Sequence, residues 1–100
     1  MEVSKIKTYV GFSIKAGKAV FGAENAMKRR CRVALIDKSI SDNTLKSLLS
    51  LYEKQGTEYF FVDGLELITH KTGCKVIGIR DEHLAKAIRE ELKGEKSVNE

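Results

Sequence analysis

The sequence has no proline and no tryptophan, only two cysteines, and no apolar run longer than four residues, as in Tyr59-Phe60-Phe61-Val62. Average usage would give a chain this long about five prolines, so their absence suits a molecule made mostly of uninterrupted helices and strands. Two cysteines allow one bridge at most, so no disulfide framework can hold the fold, and Cys31 and Cys74 are expected as free thiols. No segment approaches the roughly 20 apolar residues of a membrane helix, and the N-terminus carries no apolar stretch of the signal-peptide kind. A soluble, cytoplasmic chain without membrane contact is therefore expected. What remains is 100 residues with 42% hydrophobic and 32% charged side chains. That is the size and balance of one domain with one core.

Periodicity outlines the elements. Ile6, Val10 and Ile14 recur at helical spacing after Val3, and Gly17 ends that helix. Ala19-Val20-Phe21 reads as a short extended link, and Gly22 precedes a second short helix carrying Ala26, Met27 and the basic run Lys28-Arg29-Arg30. Val33-Ala34-Leu35-Ile36-Asp37 has the pattern of a strand buried on both faces. Ser41, Asp42 and Asn43 offer N-cap oxygens to a third helix with Leu45, Leu48, Leu49 and Tyr52 inward, closed by Gly56. Glu58 to Val62 reads as a strand; Leu65, Leu67 and Ile68 as a short helix ending near Gly73; Cys74 to Ile79 as another strand. Asp81 can cap a last helix bearing Leu84, Ala87, Ile88 and Leu92, with Gly94 as its stop and residues 94–100 as a loose polar tail. Residues 1–93 then form a single domain. The alternation of helix and strand predicts an α/β three-layer sandwich, with helices covering both faces of a small sheet.

The net charge of +4 is unevenly distributed: residues 1–38 carry +6 and residues 39–100 carry −2. The positive third surrounds the junctions of the first two helices and the first long strand, a candidate face for phosphates. Plain solvation of helix surfaces explains such charge equally well. Within that third, Gly22-Ala23-Glu24-Asn25-Ala26-Met27-Lys28 puts a glycine, hydrogen-bonding side chains and a lysine at a helix start. Glu24 and Lys28 lie four apart on one helix face, where a carboxylate could accept from guanine N–H groups and an ammonium could donate to O6 or N7. The bland alternative is an i,i+4 ion pair, worth about 0.2–0.5 kcal/mol.

These residues carry a resemblance to a known family. Ala16-Gly17-Lys18 before the Gly22, Glu24, Lys28 helix start, the Val33 to Ile36 strand, Ser39-Ile40-Ser41-Asp42-Asn43-Thr44, and Asp81 with Leu84-Ala85-Lys86-Ala87-Ile88 together resemble the ribosomal L-seven-Ae/L-thirty-e family of RNA-binding proteins, most nearly its bacterial YlxQ-type branch. The resemblance spans about Ile6 to Leu92. It implies an α-β-α sandwich around a small mixed sheet and a Gly-x-Asn-Glu-x-x-Lys segment that grips the sheared G·A pairs of a kink-turn. It further implies that Gly22, Glu24, Asn25 and Lys28 face the RNA. The chain departs from the family in carrying Glu24-Asn25 where kink-turn binders have Asn-Glu. The family's apolar loop, Leu-Gly-x-Ala-x-Gly, appears as Ile68-Thr69-His70-Lys71-Thr72-Gly73, more polar and more basic, which favours phosphate or sugar contact. Lys38 replaces an acidic or amide residue.

The expected RNA-contacting set is therefore Lys18, Gly22, Ala23, Glu24, Asn25, Lys28, Arg29, Lys38, Thr69, His70, Lys71, Thr72 and Gly73. The expected partner is structured RNA, a kink-turn or ribosomal RNA, in a ribosome- or translation-associated role. A protein-interaction module of the same fold is the alternative. Cys31, Cys74, His70 and His83 lack metal-ligand spacing, and no phosphate loop or nucleophile elbow occurs, so neither a metal, a cofactor nor an enzyme is expected. The seven aromatic residues are expected mostly on core faces, not as a stacking platform for single strands.

Overall fold

Ile6 and Val10 fall one helical turn apart and are fully buried, which defines the inward stripe of α1 (Val3–Lys15). The computed structural model describes residues 3–98, with side-chain surroundings given from residue 5 to residue 93. After a turn through Gly17 come β1 (Ala19–Phe21), α2 (Ala23–Lys28), β2 (Val33–Asp37), α3 (Asp42–Gln55), β3 (Glu58–Val62), α4 (Leu65–Thr69), β4 (Val76–Ile79) and α5 (Glu82–Val98). The strands form one mixed sheet in the order β1-β4-β2-β3. β4 runs antiparallel to both β1 and β2, whereas β2 and β3 are parallel.

Every residue of β2 and β4 is buried, because these two strands occupy the centre of the sheet and both of its faces are covered. On one face Val33, Leu35, Ile77 and Ile79 meet Ile6, Val10, Leu65, Ile68, Ala85 and Ile88 from α1, α4 and α5. On the other, Ala34, Ile36 and Val76 meet Ala26, Leu48 and Tyr52 from α2 and α3. The result is a three-layer α/β/α sandwich. Helix boundaries follow local chemistry: Ser41 caps α3 by accepting from the Thr44 N–H, and Gly56 closes it in the left-handed conformation at φ 73°. Asp81 Oδ2 likewise accepts from the Leu84 N–H at 2.9 Å at the start of α5.

Three expectations are corrected. The second helix ends at Lys28, and Arg29 is already extended, at φ −118° and ψ 131°, so the basic run is split between a helix and the link to β2. α4 ends at Thr69, not near Gly73, because His70 turns into the left-handed region. α5 passes through Gly94 to Val98, flanked by the strong helix formers Leu92, Lys93, Glu95 and Lys96 that outweigh one glycine. The rest of the expected tail, Asn99 and Glu100, lies outside the described residues. The aromatics fall mostly on core faces, as expected; the two exposed ones are Phe12 on α1, at 53%, and Phe61 on the edge strand β3, at 43%.

Candidate nucleic-acid interface

The sheet has two rims. The C-terminal ends of β1, β2 and β3 meet the N-terminal end of β4 on the first, and their opposite ends form the second. Gly22 lies on the first rim, where its N–H donates to the Val76 carbonyl at 2.9 Å. Its backbone, at φ 86° and ψ 152°, occupies a region essentially restricted to glycine, although a Cβ there would meet nothing within 4 Å. Gly22→Ala should therefore destabilise the protein by about 1–2 kcal/mol through backbone strain without a clash. Urea denaturation of the two proteins would check this, and unchanged stability would remove the strain argument.

The α4–β4 loop comes up against Gly22. Phe21, Gly22, Lys71, Thr72, Gly73 and Cys74 line one concavity of about 140 Å³. The Lys71 ammonium lies 4.3 Å from the centre of the Phe21 ring, a cation–π contact that joins the loop to β1. The loop is held from below as well: the Thr69 hydroxyl donates to the Leu65 carbonyl at 3.0 Å and accepts from the Lys71 N–H at 3.3 Å. Thr69 is consequently buried and occupied, and it is removed from the expected contact set. His70, Lys71, Thr72 and Gly73 are exposed.

The helix start is already engaged with itself. Glu24 and Lys28 form an exposed i,i+4 pair at 3.2 Å, and the Asn25 amide donates to the Phe21 carbonyl at 3.0 Å. A partner reading base edges would have to displace the Lys28–Glu24 pair, which is worth only a few tenths of a kcal/mol, roughly 0.2–0.5. Ala23 is half-buried beside them. Lys38 shares the first rim, beyond the start of β4, but faces Asp63 at 3.3 Å.

Lys18 and Arg29 do not join this group. The Lys18 carbonyl accepts from the Arg80 N–H at 2.8 Å on the second rim, and Arg29 follows α2 down to the same side before β2 begins. Sequence proximity to Gly22 was misleading, because one three-residue strand and one short helix each cross the sheet from rim to rim.

The structure adds a cluster that spacing could not show. Asp37, at the end of β2, accepts from the Ser39 hydroxyl, from the Ser39 N–H at 2.9 Å and from the buried Leu65 N–H at 2.8 Å. Lys75 Nζ donates to Ser39 Oγ at 2.6 Å and lies 3.9 Å from the Asp37 carboxylate. The Ser39 hydroxyl, then the Leu65 N–H, with help from the Ser39 N–H and the Lys75 ammonium, hold the Asp37 carboxyl down to about 2 against the effect of burial. This arrangement ties the Ser39 turn, the start of α4 and the residue before β4 to the end of β2.

Comparison with known proteins bears on the architecture. A protein of unknown function from Bacillus halodurans C has a solved structure that superimposes on 89% of this chain and 97% of its own, with a TM-score of 0.80 and 17% identity. The likeness is one of fold. No protein-family model matches the chain, and no curated protein matches it. Among the described residues no cluster of His, Cys, Asp or Glu could hold a metal ion, and no helix is long and apolar enough to cross a membrane. Cys31 and Cys74 are both buried and unbridged.

Proposed function

We propose that this chain is a cytoplasmic, non-enzymatic RNA-binding protein that docks on structured RNA, a kink-turn or a ribosomal RNA segment, through its first rim. One observation carries the reading: residues about fifty apart, Gly22 and Lys71 to Gly73, enclose a single concavity with open glycine backbone on both sides. Glycine without a side chain lets a sugar–phosphate backbone approach closely, and the Lys71 ammonium supplies the charge. Ala23, Glu24, Asn25 and Lys28 extend the surface along α2, where a guanine edge could exchange with the Glu24–Lys28 pair. His70, Thr72 and Lys38 complete the rim. The sequence resemblance to ribosomal RNA-binding proteins points the same way.

Binding to a kink-turn RNA, to a copy with its G·A pairs replaced, and to a plain duplex, each across a salt series, tests this reading. Selective loss on replacing the G·A pairs is the expected result. Lys28→Ala should weaken kink-turn binding by about 1–3 kcal/mol and narrow the gap between the first two RNAs. Absence of binding to all three at low salt overturns the reading.

A protein-interaction module is the second reading, favoured by exposed apolar side chains at Leu67, Phe12 and Phe61, the first of them 75% exposed.

A further inference from the structure

The second rim carries a concavity of its own, about 350 Å³ in volume and lined by Arg30, Arg32 and Arg80. The link between α2 and β2 supplies the first two arginines and the start of the β4–α5 link supplies the third. Sheet register, not loop geometry, brings them together: the Arg32 N–H donates to the Ile79 carbonyl at 2.8 Å, and the Arg80 N–H to the Lys18 carbonyl at 2.8 Å. Arg30 is steadied by donating to the Gln55 carbonyl at 3.2 Å, a neutral partner that leaves its charge in place.

Few carboxylates answer this charge. Glu82 pairs with Arg32 Nε at 3.4 Å but is shared with Arg89 at 3.3 Å. The Asp81 carboxylate accepts from the Leu84 N–H at the start of α5. Among the described residues no carboxylate pairs with Arg30 or Arg80. Burial pushes the Cys31 thiol up, and the Arg80 guanidinium pulls it back. Three guanidinium groups around one open concavity repel each other in the free protein, and an anion placed among them relieves that repulsion. Among the described residues the lining carries no aromatic or aliphatic side chain, so it offers nothing to an acyl chain. Planar forks of N–H donors instead match tetrahedral oxyanions, in the two-pronged manner that lysine cannot reproduce.

We propose that the Arg30, Arg32 and Arg80 concavity binds a phosphate group, either in an RNA backbone or on a small phosphorylated compound. It is separate from the Gly22 rim, so it stands whether or not that rim reads RNA.

The test follows backbone amide resonances of the full chain during titration with pyrophosphate, and separately with a plain RNA duplex, at constant ionic strength. Pyrophosphate should move the amides of Arg30 to Arg32 and Arg80 to Glu82 saturably while those of Gly22 and Gly73 stay in place. R80A should weaken that binding about tenfold or more, and R80K should fall between R80A and the parent chain. R30A provides an independent check, since Arg30 reaches only the Gln55 carbonyl. If the duplex moves the same amides and pyrophosphate displaces it, the phosphate belongs to RNA; if only pyrophosphate saturates them, it belongs to a small compound. No saturable shift with either probe up to about 10 mM, or R80A and R30A both binding like the parent, overturns the site. Such a failure would leave the kink-turn measurements on the first rim unaffected.

Discussion

Asp37→Ala should lower the unfolding free energy by about 3–5 kcal/mol, more than any other single substitution considered for this molecule. The Asp37 carboxylate ties three segments to one point: the end of β2, the turn at Ser39 and the first residue of α4. Removing it leaves the Leu65 N–H without its partner in a fully buried position, and leaves Ser39 and Lys75 without the acceptor that orders them. For a domain of this size, a loss of 3 kcal/mol corresponds to a fall in Tm of roughly 12–24 °C. Asp37→Asn should fall between, because an amide oxygen can still accept one bond while its NH2 group meets donors.

The same carboxylate predicts the acid response. An ordinary aspartate near 3.8 in the unfolded chain becomes about 2 in the folded one, so the unfolded state binds the proton more readily. The stabilisation is complete above about pH 4, is lost progressively as pH falls toward 2, and amounts to about 2 kcal/mol. Urea denaturation at pH 5 and pH 2.5 should show Asp37→Asn losing less stability than the parent over that interval. Equal losses in the two proteins would mean that another carboxylate governs the acid limb.

Gly78→Ala is the second large effect, about 2–3 kcal/mol and of opposite origin, since it adds an atom where none fits. Gly78 sits in the centre of β4, opposite Val20 on β1 and Ala34 on β2. A Cβ there would fall 2.3 Å from the Cys31 sulfur, 3.2 Å from the Cys31 Cβ and 3.4 Å from Val20 Cγ2. Cys31 is itself buried and held by its contact with the Arg29 carbonyl, so the chain must shift to make room. Cys31→Ala removes the nearest atom. The double variant should therefore recover at least about 1 kcal/mol relative to the sum of the two single changes, a coupling that a double-mutant cycle measures directly. Additive effects would show that Gly78 is required for some reason other than the thiol pressed against it.

Much of the fold was legible in local pattern. Val33 to Asp37 reads as a doubly buried strand because its apolar run has no polar alternation, and it occupies the sheet centre with both faces covered. Ser41, Gly56 and Asp81 mark helix ends by chemistry that acts within four residues, and all three perform as their types predict. Gly94 misled, because a glycine signal depends on its surroundings and the residues around it favour continuing the helix. The candidate site was only partly legible. Local pattern marks Gly22 and the Lys71 to Gly73 loop, but nearness in sequence also groups Lys18 and Arg29 with them, and the Thr69 hydroxyl turns inward to the Leu65 carbonyl.

By itself the sequence determined the elements, their order, the layered class of the fold and the uneven placement of charge, because each depends on periodicity, capping and composition within short windows. Tertiary structure alone decided which charges share a surface. Strand register places Arg80 beside Arg32 across about fifty residues, and the rim-to-rim passage of β1 and α2 separates Lys18 and Arg29 from Gly22. It also decided that Asp37 would serve as a buried tie point, since its partners come from three segments that only meet once the sheet is assembled.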